Sequence, residues 1–164
     1  MKDKPVVVKD KSDVIWLDGY LEGLTMIAVN LSRHAGTYVN AVTFSALALK
    51  LPGDNILQAY QDFINHNEDI ELLGLEPPQL RLTNATQLDD WYSVVTEHFY
   101  HVFNQVDRDT AERALNQALD WLDMITSESF PGKVIAATEV DNPSGNYLFF
   151  QGEADEYLVL TMSY

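Results

Sequence analysis

Residues 12–36 of the chain read SDVIWLDGYLEGLTMIAVNLSRHAG, and the rest of the sequence is organised around them. Apolar residues recur there at alternating steps of three and four, from Leu17 through Leu24 to Leu31, which is the period of one helix face. Acidic and amide side chains interrupt the apolar content too often for a membrane span. The segment is therefore predicted to be the central helix of a soluble core.

Two glycines within this segment, Gly19 and Gly23, leave part of the prediction open. Each lowers helix propensity by about 1 kcal/mol relative to alanine, so residues 24–31 are also compatible with a strand. The spacing of the glycines is that of a small-xxx-small contact, which in a soluble protein allows a neighbouring helix to approach closely. We expect such a helix to pack there.

The next two segments also have the helical period. Residues 37–51 carry an apolar face wide enough to indicate a helix buried on two sides, and Pro52 ends it. A third helix is predicted to begin at Asp54 or Asn55, either of which can cap its first turn.

Residues 68–83 contain the pair Pro77-Pro78, which forbids a continuous helix, so this segment is predicted to be a loop. A fourth helix is predicted to begin near Thr86, where Thr86-Gln87-Leu88-Asp89 has the form of a capping box. Asp109 opens a fifth helix with a regular apolar face and an acidic outer stripe.

The period changes to two in the last third of the chain. Val134–Val140, Asn146–Gln151 and Tyr157–Met162 alternate or run apolar, with turn residues between them, which predicts a three-stranded antiparallel meander. Residues 5–9 are a candidate fourth strand. We therefore expect a single α+β domain spanning 1–164, in which about five helices form a bundle-like layer over one face of the sheet.

The charge of the chain is unusual. Ten Lys and Arg stand against 25 Asp and Glu, which gives a net charge of −15 and a pI near 4.3. A small soluble domain needs a magnitude of only about 2–8. Such acidity indicates either the proteome of a salt-adapted cell or a strongly basic partner, and it disfavours direct binding of nucleic acid, since phosphate contacts need cations.

The absence of cysteine excludes disulfides, thiolate metal sites and a cysteine nucleophile. The basic N-terminus lacks an apolar run of the length that a signal peptide needs, so a cytoplasmic location is expected.

One short motif resembles a metal site. Glu97, His98 and His101 lie within two turns of the fourth predicted helix, with Glu97 and His101 four residues apart on one face. A zinc hydrolase of the common helical type would instead present two histidines four apart with a glutamate between them. The motif is therefore the basis of an alternative hypothesis only, and no cofactor is predicted.

The acidic clusters are the main functional signal, because almost no Lys or Arg is interleaved among them. Each cluster by itself is compatible with an ordinary solvated surface. The residues predicted to contact a partner are Glu68, Asp69, Glu71, Glu76, Asp109, Glu112, Asp120, Asp123, Glu153, Asp155 and Glu156.

Two functions of different classes follow from these patterns. The first is a non-enzymatic binding protein that blocks a basic surface of another protein. Its target would be a nuclease toxin, as for an immunity protein or antitoxin, or a DNA-binding protein, as for an inhibitor that imitates the charge of DNA. The alternative is a helical-bundle enzyme or small-ligand module that uses Glu97, His98 and His101. In the first hypothesis, aromatic residues near the carboxylates, such as Trp121 and Tyr157, are expected to anchor the partner.

Overall fold

The structure, a computed structural model, describes residues 4–34, 43–66, 76–83, 90–103, 107–141 and 145–163. A six-stranded antiparallel sheet forms its centre, and helices pack on both faces of the sheet. The strands are β1 (Val6–Val7), β2 (Thr43–Lys50), β3 (Leu80–Leu82), β4 (Val134–Glu139), β5 (Asn146–Gln151) and β6 (Glu156–Ser163). The helices are α1 (Ser12–His34), α2 (Ile56–Asn65), α3 (Trp91–Val102) and α4 (Arg108–Ser129).

The order of strands in the sheet is β1-β2-β6-β5-β4-β3, and every neighbouring pair is antiparallel. β4, β5 and β6 pair in sequence as a meander, but they make up only half of the sheet. The prediction of about five helices followed by a three-stranded meander is therefore wrong: the described residues form four helices and a six-stranded sheet.

The prediction of a helix over residues 37–51 is wrong, because Thr43–Lys50 of this segment form the strand β2. Phe44, Ala46 and Ala48 face one side of the sheet and Leu49 faces the other, and all four are buried. A strand that is buried on both sides reads as a nearly continuous apolar run, which periodicity cannot distinguish from a buried helix. The remainder of the segment before Thr43 lies outside the described residues.

β3 lies in the segment 68–83, where a loop was predicted. Leu80 pairs with Glu139 and Leu82 pairs with Ala137, which makes β3 the edge strand beside β4. Three residues are too few for a sequence period to be recognised, so the strand is defined by its partner and not by its own pattern.

The helices follow their sequence signals more closely than β2 and β3 do. α1 is one helix, so the alternative of a strand at 24–31 is excluded. α2 is capped by Asn55, whose side chain accepts a hydrogen bond from the backbone N–H of Gln58. α3 is capped by Asp90 and not near Thr86; the predicted capping box lies outside the described residues. None of the described helices is long and apolar enough to cross a membrane.

Helices cover both faces of the sheet, which corrects the prediction that they cover one. α1, α3 and α4 pack on the face formed by the even-numbered residues of β2 and β6, such as Phe44 and Leu160. α2 packs on the opposite face, where its Tyr60 contacts the rings of Tyr147 and Phe149. Along the central strands, the residues that face one side of the sheet and those that face the other side are both apolar. Each face of the sheet must therefore be covered by helices.

Part of the edge of β2 is covered by side chains of α1. The N–H of Ala46 donates to Oδ1 of Asp18 at 2.9 Å, and the N–H of Phe44 donates to Oγ1 of Thr25 at 3.1 Å. β1 bonds only the other end of this edge, through residues such as Val8, whose N–H donates to Ala48. Because buried backbone donors need acceptors, α1 replaces the part of a neighbouring strand that two-residue β1 does not supply.

Two buried tyrosines predict a loss of stability at alkaline pH. Burial raises the pKa of Tyr60 from 10.0 to about 12, and burial together with its 2.7 Å bond to Glu139 raises the pKa of Tyr147 further. The pKa of each tyrosine is higher in the folded state than in the unfolded state. The free energy of unfolding therefore has its full value below pH 10 and declines as the pH rises toward 12. Urea unfolding between pH 9 and 12 is expected to show this decline, and Tyr60→Phe is expected to make it shallower. An equally steep decline in that variant would contradict the prediction.

Candidate protein-binding surface

The acidic outer stripe predicted for the fifth helix lies on α4, and the structure divides it into two halves. In the first half, Asp109 and Glu112 alternate with Arg108 and Arg113. Nε of Arg108 lies 3.1 Å from Oε1 of Glu112, an ion pair four residues apart on the helix. Local cations thus largely neutralise this half, and exposed pairs of this kind are weak.

The second half of α4 carries no cation after Arg113. Asp120, Asp123 and Glu128 are all exposed there, and Met124 is an exposed apolar residue among them. Glu128 was not among the predicted contact residues, although its position one turn after Met124 was visible in the sequence. This half therefore presents negative charge that no Lys or Arg of the same half balances, beside the exposed side chain of Met124.

A second predicted cluster lies in the β5–β6 turn, next to the end of α4. A side chain at Gly152 would meet the backbone oxygen of Ser129 at 2.7 Å, so the turn is in close contact with the last residue of the helix. Glu153 and Asp155 are exposed on the turn. Glu156 is half-buried and forms an ion pair of 3.6 Å with Lys11.

We call the set formed by the second half of α4 and this turn the acidic surface. It contains six carboxylates, of which Glu156 forms the ion pair with Lys11. Its residues are Asp120, Asp123, Glu128, Glu153, Asp155 and Glu156.

The remaining predicted contact residues lie elsewhere. Glu68, Asp69 and Glu71 lie outside the described residues. Glu76 is exposed just before β3, in a segment held to α2 by the hydrogen bond from Gln61 to the carbonyl of Pro78. It therefore belongs to the side of the sheet opposite α4.

A cleft of about 320 Å³ adjoins the acidic surface, between the start of α3 and the end of α4. Buried aromatic and aliphatic side chains lie beneath the cleft, and its accessible lining is largely polar. The floor residues are Trp91, Phe130, Val134 and Phe150, and the rim includes Tyr92, Asp123 and Ser127.

Tyr92 connects the cleft to the acidic surface. Its hydroxyl donates a short hydrogen bond to Oδ1 of Asp123, and its ring stacks on Trp91 with centroids 3.9 Å apart. The bond to Asp123, followed by partial burial and by the negative charge of that carboxylate, raises the pKa of Tyr92 to about 12. Tyr92 therefore stays protonated at neutral pH and holds Asp123 at the rim.

The exposed aromatic residue of this region is not one of those considered from the sequence. Tyr157 is buried in the core on the face of the sheet that α2 covers. Trp121 is half-buried against the core on the other face, which α1, α3 and α4 cover. In the sequence, Tyr92 adjoins Trp91 at the edge of the apolar face of its helix. Only the packing of α3 against α4 shows that its ring lies at the surface.

The candidate metal motif is split between the core and the surface. His98 is 3% exposed and packs edge-to-face on Phe44, with ring centroids 5.3 Å apart. Glu97 and His101 are exposed. Among the residues that the structure describes, no group of three or more His, Asp or Glu side chains is positioned to hold a metal ion.

Comparison of the chain with models of known protein families, with curated proteins and with solved structures gives no match in any of the three.

Proposed function

We propose that this protein is a non-enzymatic binding protein whose acidic surface covers a basic surface of a partner protein. One observation carries the proposal: the second half of α4 presents three exposed carboxylates with no Lys or Arg on that half of the helix, and one of them, Asp123, lines a surface cleft. A carboxylate surface that served only solubility would not need this cleft.

The chemistry of the cleft suits a lysine or arginine side chain of the partner. The aliphatic part of such a side chain would lie against the exposed Pro131, and its charged end would reach Asp123 at the rim. The exposed face of the Tyr92 ring would add a cation–π contact. A long cation would thus anchor the partner while the surrounding carboxylates meet its other basic residues.

The mechanism would be steric blockade without turnover. Complementary charge raises association rates toward about 10⁸–10⁹ M⁻¹s⁻¹ at low salt, and the complex weakens steeply as salt is added. The basic surface that is covered would be the substrate cleft of a nuclease or the groove of a DNA-binding protein, because those surfaces are built to receive phosphates.

Charge reversal on the acidic surface tests this proposal. The probe is a fluorescent oligo-arginine peptide, and its affinity is measured by anisotropy at low and high salt. Asp120→Lys with Asp123→Lys is expected to weaken binding about 100-fold at low salt, because two attractive contacts become repulsive at the rim of the cleft.

The matched control is Asp109→Lys with Glu112→Lys, which makes the same change in net charge on the other half of the same helix. This control is expected to lose less than about tenfold, since those carboxylates have arginine neighbours and do not adjoin the cleft. Equal losses in the two variants would show that the peptide responds to net charge alone, and the proposed surface would then be wrong.

A further inference from the structure

The outer face of α1, which faces away from the sheet, carries large apolar residues towards both ends, together with exposed Ser12, Glu22 and Asn30. Four large side chains on it are more than half exposed: Ile15 at 60%, Trp16 at 69%, Met26 at 63% and Ile27 at 52%. Scattered single apolar residues are normal on a surface, whereas large apolar residues grouped in two pairs on one helix face indicate an interaction site.

The two glycines of α1 lie at the centre of this face. A Cβ atom built at Gly19 or at Gly23 meets no atom within 4 Å. The sequence predicted that a helix would approach closely at these glycines, and the described part of this chain places none there. The position remains suited to a close helix contact, since both glycines leave the backbone of α1 accessible.

The residues of the face are arranged symmetrically about Leu21, which is buried on the opposite side of the helix. Counting outward from Leu21, Gly19 corresponds to Gly23, and two pairs of large residues lie beyond them. Because each residue turns the helix by about 100°, these three pairs of positions lie on the side of the helix opposite Leu21, with one member of each pair on either side of the midline. The outer pairs are Trp16 with Met26 and Ile15 with Ile27.

We propose that two copies of this chain associate through this face, with their α1 helices antiparallel and related by a two-fold axis at Leu21. Such an axis places Gly19 of one copy opposite Gly23 of the other, and the large side chains of each copy beside those of its partner. An interface of this type is self-complementary, which is what a two-fold dimer requires.

The area of the face reaches the lower bound for such a dimer. The four large side chains expose roughly 500 Å² per copy, so a dimer that covers them completely buries about 1,000 Å² in total, the lower bound for a specific interface. A membrane surface is a poorer occupant, because α1 carries three acidic residues, Asp13, Asp18 and Glu22, against Arg33, whereas lipid-binding helices are cationic.

Dimerisation through this face has a salt dependence opposite to that of partner binding. Each copy carries a net charge of −15, so the two copies repel each other at low salt. Salt screens this repulsion, and the contact itself is apolar. Added salt is therefore expected to strengthen the dimer and to weaken the proposed complex with a basic partner.

Sedimentation equilibrium of the wild-type chain from about 1 to 100 μM, at low and high salt, tests the dimer. A dimer that becomes more populated with salt is expected. Gly19→Leu with Gly23→Leu is expected to be monomeric at every concentration, because the leucines hold the two helices apart. The same variant is expected to keep or raise its melting temperature, since the monomer has open space at both positions and leucine favours the helix.

The matched control is Asn116→Leu with Gln117→Leu on α4, two exposed positions away from this face. It is expected to dimerise as the wild type does. A wild-type chain that stays monomeric at high salt would overturn the proposal, whether or not it binds vesicles of mixed neutral and anionic lipid. A dimer that persists in the double-leucine glycine variant would overturn it as well.

Cysteine cross-linking tests the antiparallel arrangement, because the natural chain has no cysteine. A mixture of Ile15→Cys and Ile27→Cys chains is expected to form disulfide-linked heterodimers. Ile15→Cys alone is expected not to cross-link, since the two-fold axis displaces the two copies of position 15 by about 18 Å along the helices. Efficient linkage of position 15 to itself would contradict the proposed geometry.

Discussion

Replacing Asp18 by alanine is expected to lower the free energy of unfolding by about 2–3 kcal/mol, although Asp18 is neither fully buried nor part of the apolar core. The carboxylate accepts the backbone N–H of Ala46, a residue that is only 2% exposed. Its removal leaves a buried donor without its acceptor, and a hydrogen bond to a charged group is the stronger kind. Urea unfolding followed by circular dichroism measures the loss.

Two variants define the cause of this effect. Asp18→Asn keeps an acceptor oxygen and is expected to lose clearly less stability than the alanine variant. Thr25→Val removes the acceptor of the N–H of Phe44. The loss of stability in this variant is expected to add to that of Asp18→Ala, because the two hydrogen bonds lie two turns apart on α1. If Asp18→Ala remains within about 0.5 kcal/mol of the wild type, water replaces the carboxylate and the edge of β2 does not depend on α1.

Replacing Gly152 by alanine is expected to lower the free energy of unfolding by about 2–3 kcal/mol, through overpacking. The new Cβ would lie 2.7 Å from the backbone oxygen of Ser129 and 2.8 Å from the ring of Phe130. The backbone atom cannot rotate away, so either the β5–β6 turn or the end of α4 must shift. Because both belong to the acidic surface, binding of the oligo-arginine peptide is expected to weaken as well.

The control for this variant lies two residues away in the same turn. Ala154 has a φ of 50°, the left-handed conformation that favours glycine. Ala154→Gly is therefore expected to change the free energy of unfolding by less than about 1 kcal/mol. The relief of backbone strain stabilises the folded state, and the greater conformational freedom of glycine in the unfolded chain opposes this gain. Similar losses in Gly152→Ala and Ala154→Gly would indicate a general sensitivity of the turn and would contradict the packing argument.

The candidate site was only partly predictable from the sequence. The acidic stripe of α4 follows from the helical period, so Asp120 and Asp123 were identified as neighbours on one face. Their separation from the neutralised half around Glu112 depends on where the side chain of Arg108 points. The contact of the stripe with the turn at Gly152, and the cleft beside Tyr92, depend on packing between elements that are distant in the chain.

The sequence alone determined the local features of this protein. The cap of α2 at Asn55, the period of α1, α2 and α4, the turn between β5 and β6 and the excess of carboxylates all arise from residues a few positions apart, whereas α4 is capped by Asp107 and not by the predicted Asp109. Tertiary structure decided that residues 43–50 form a central strand, because that strand is defined by pairing with β6, as Phe44 does with Met162. It also decided that both faces of the sheet are covered and that α1 completes the edge of β2. These features depend on contacts between residues far apart in the chain, which no local period records.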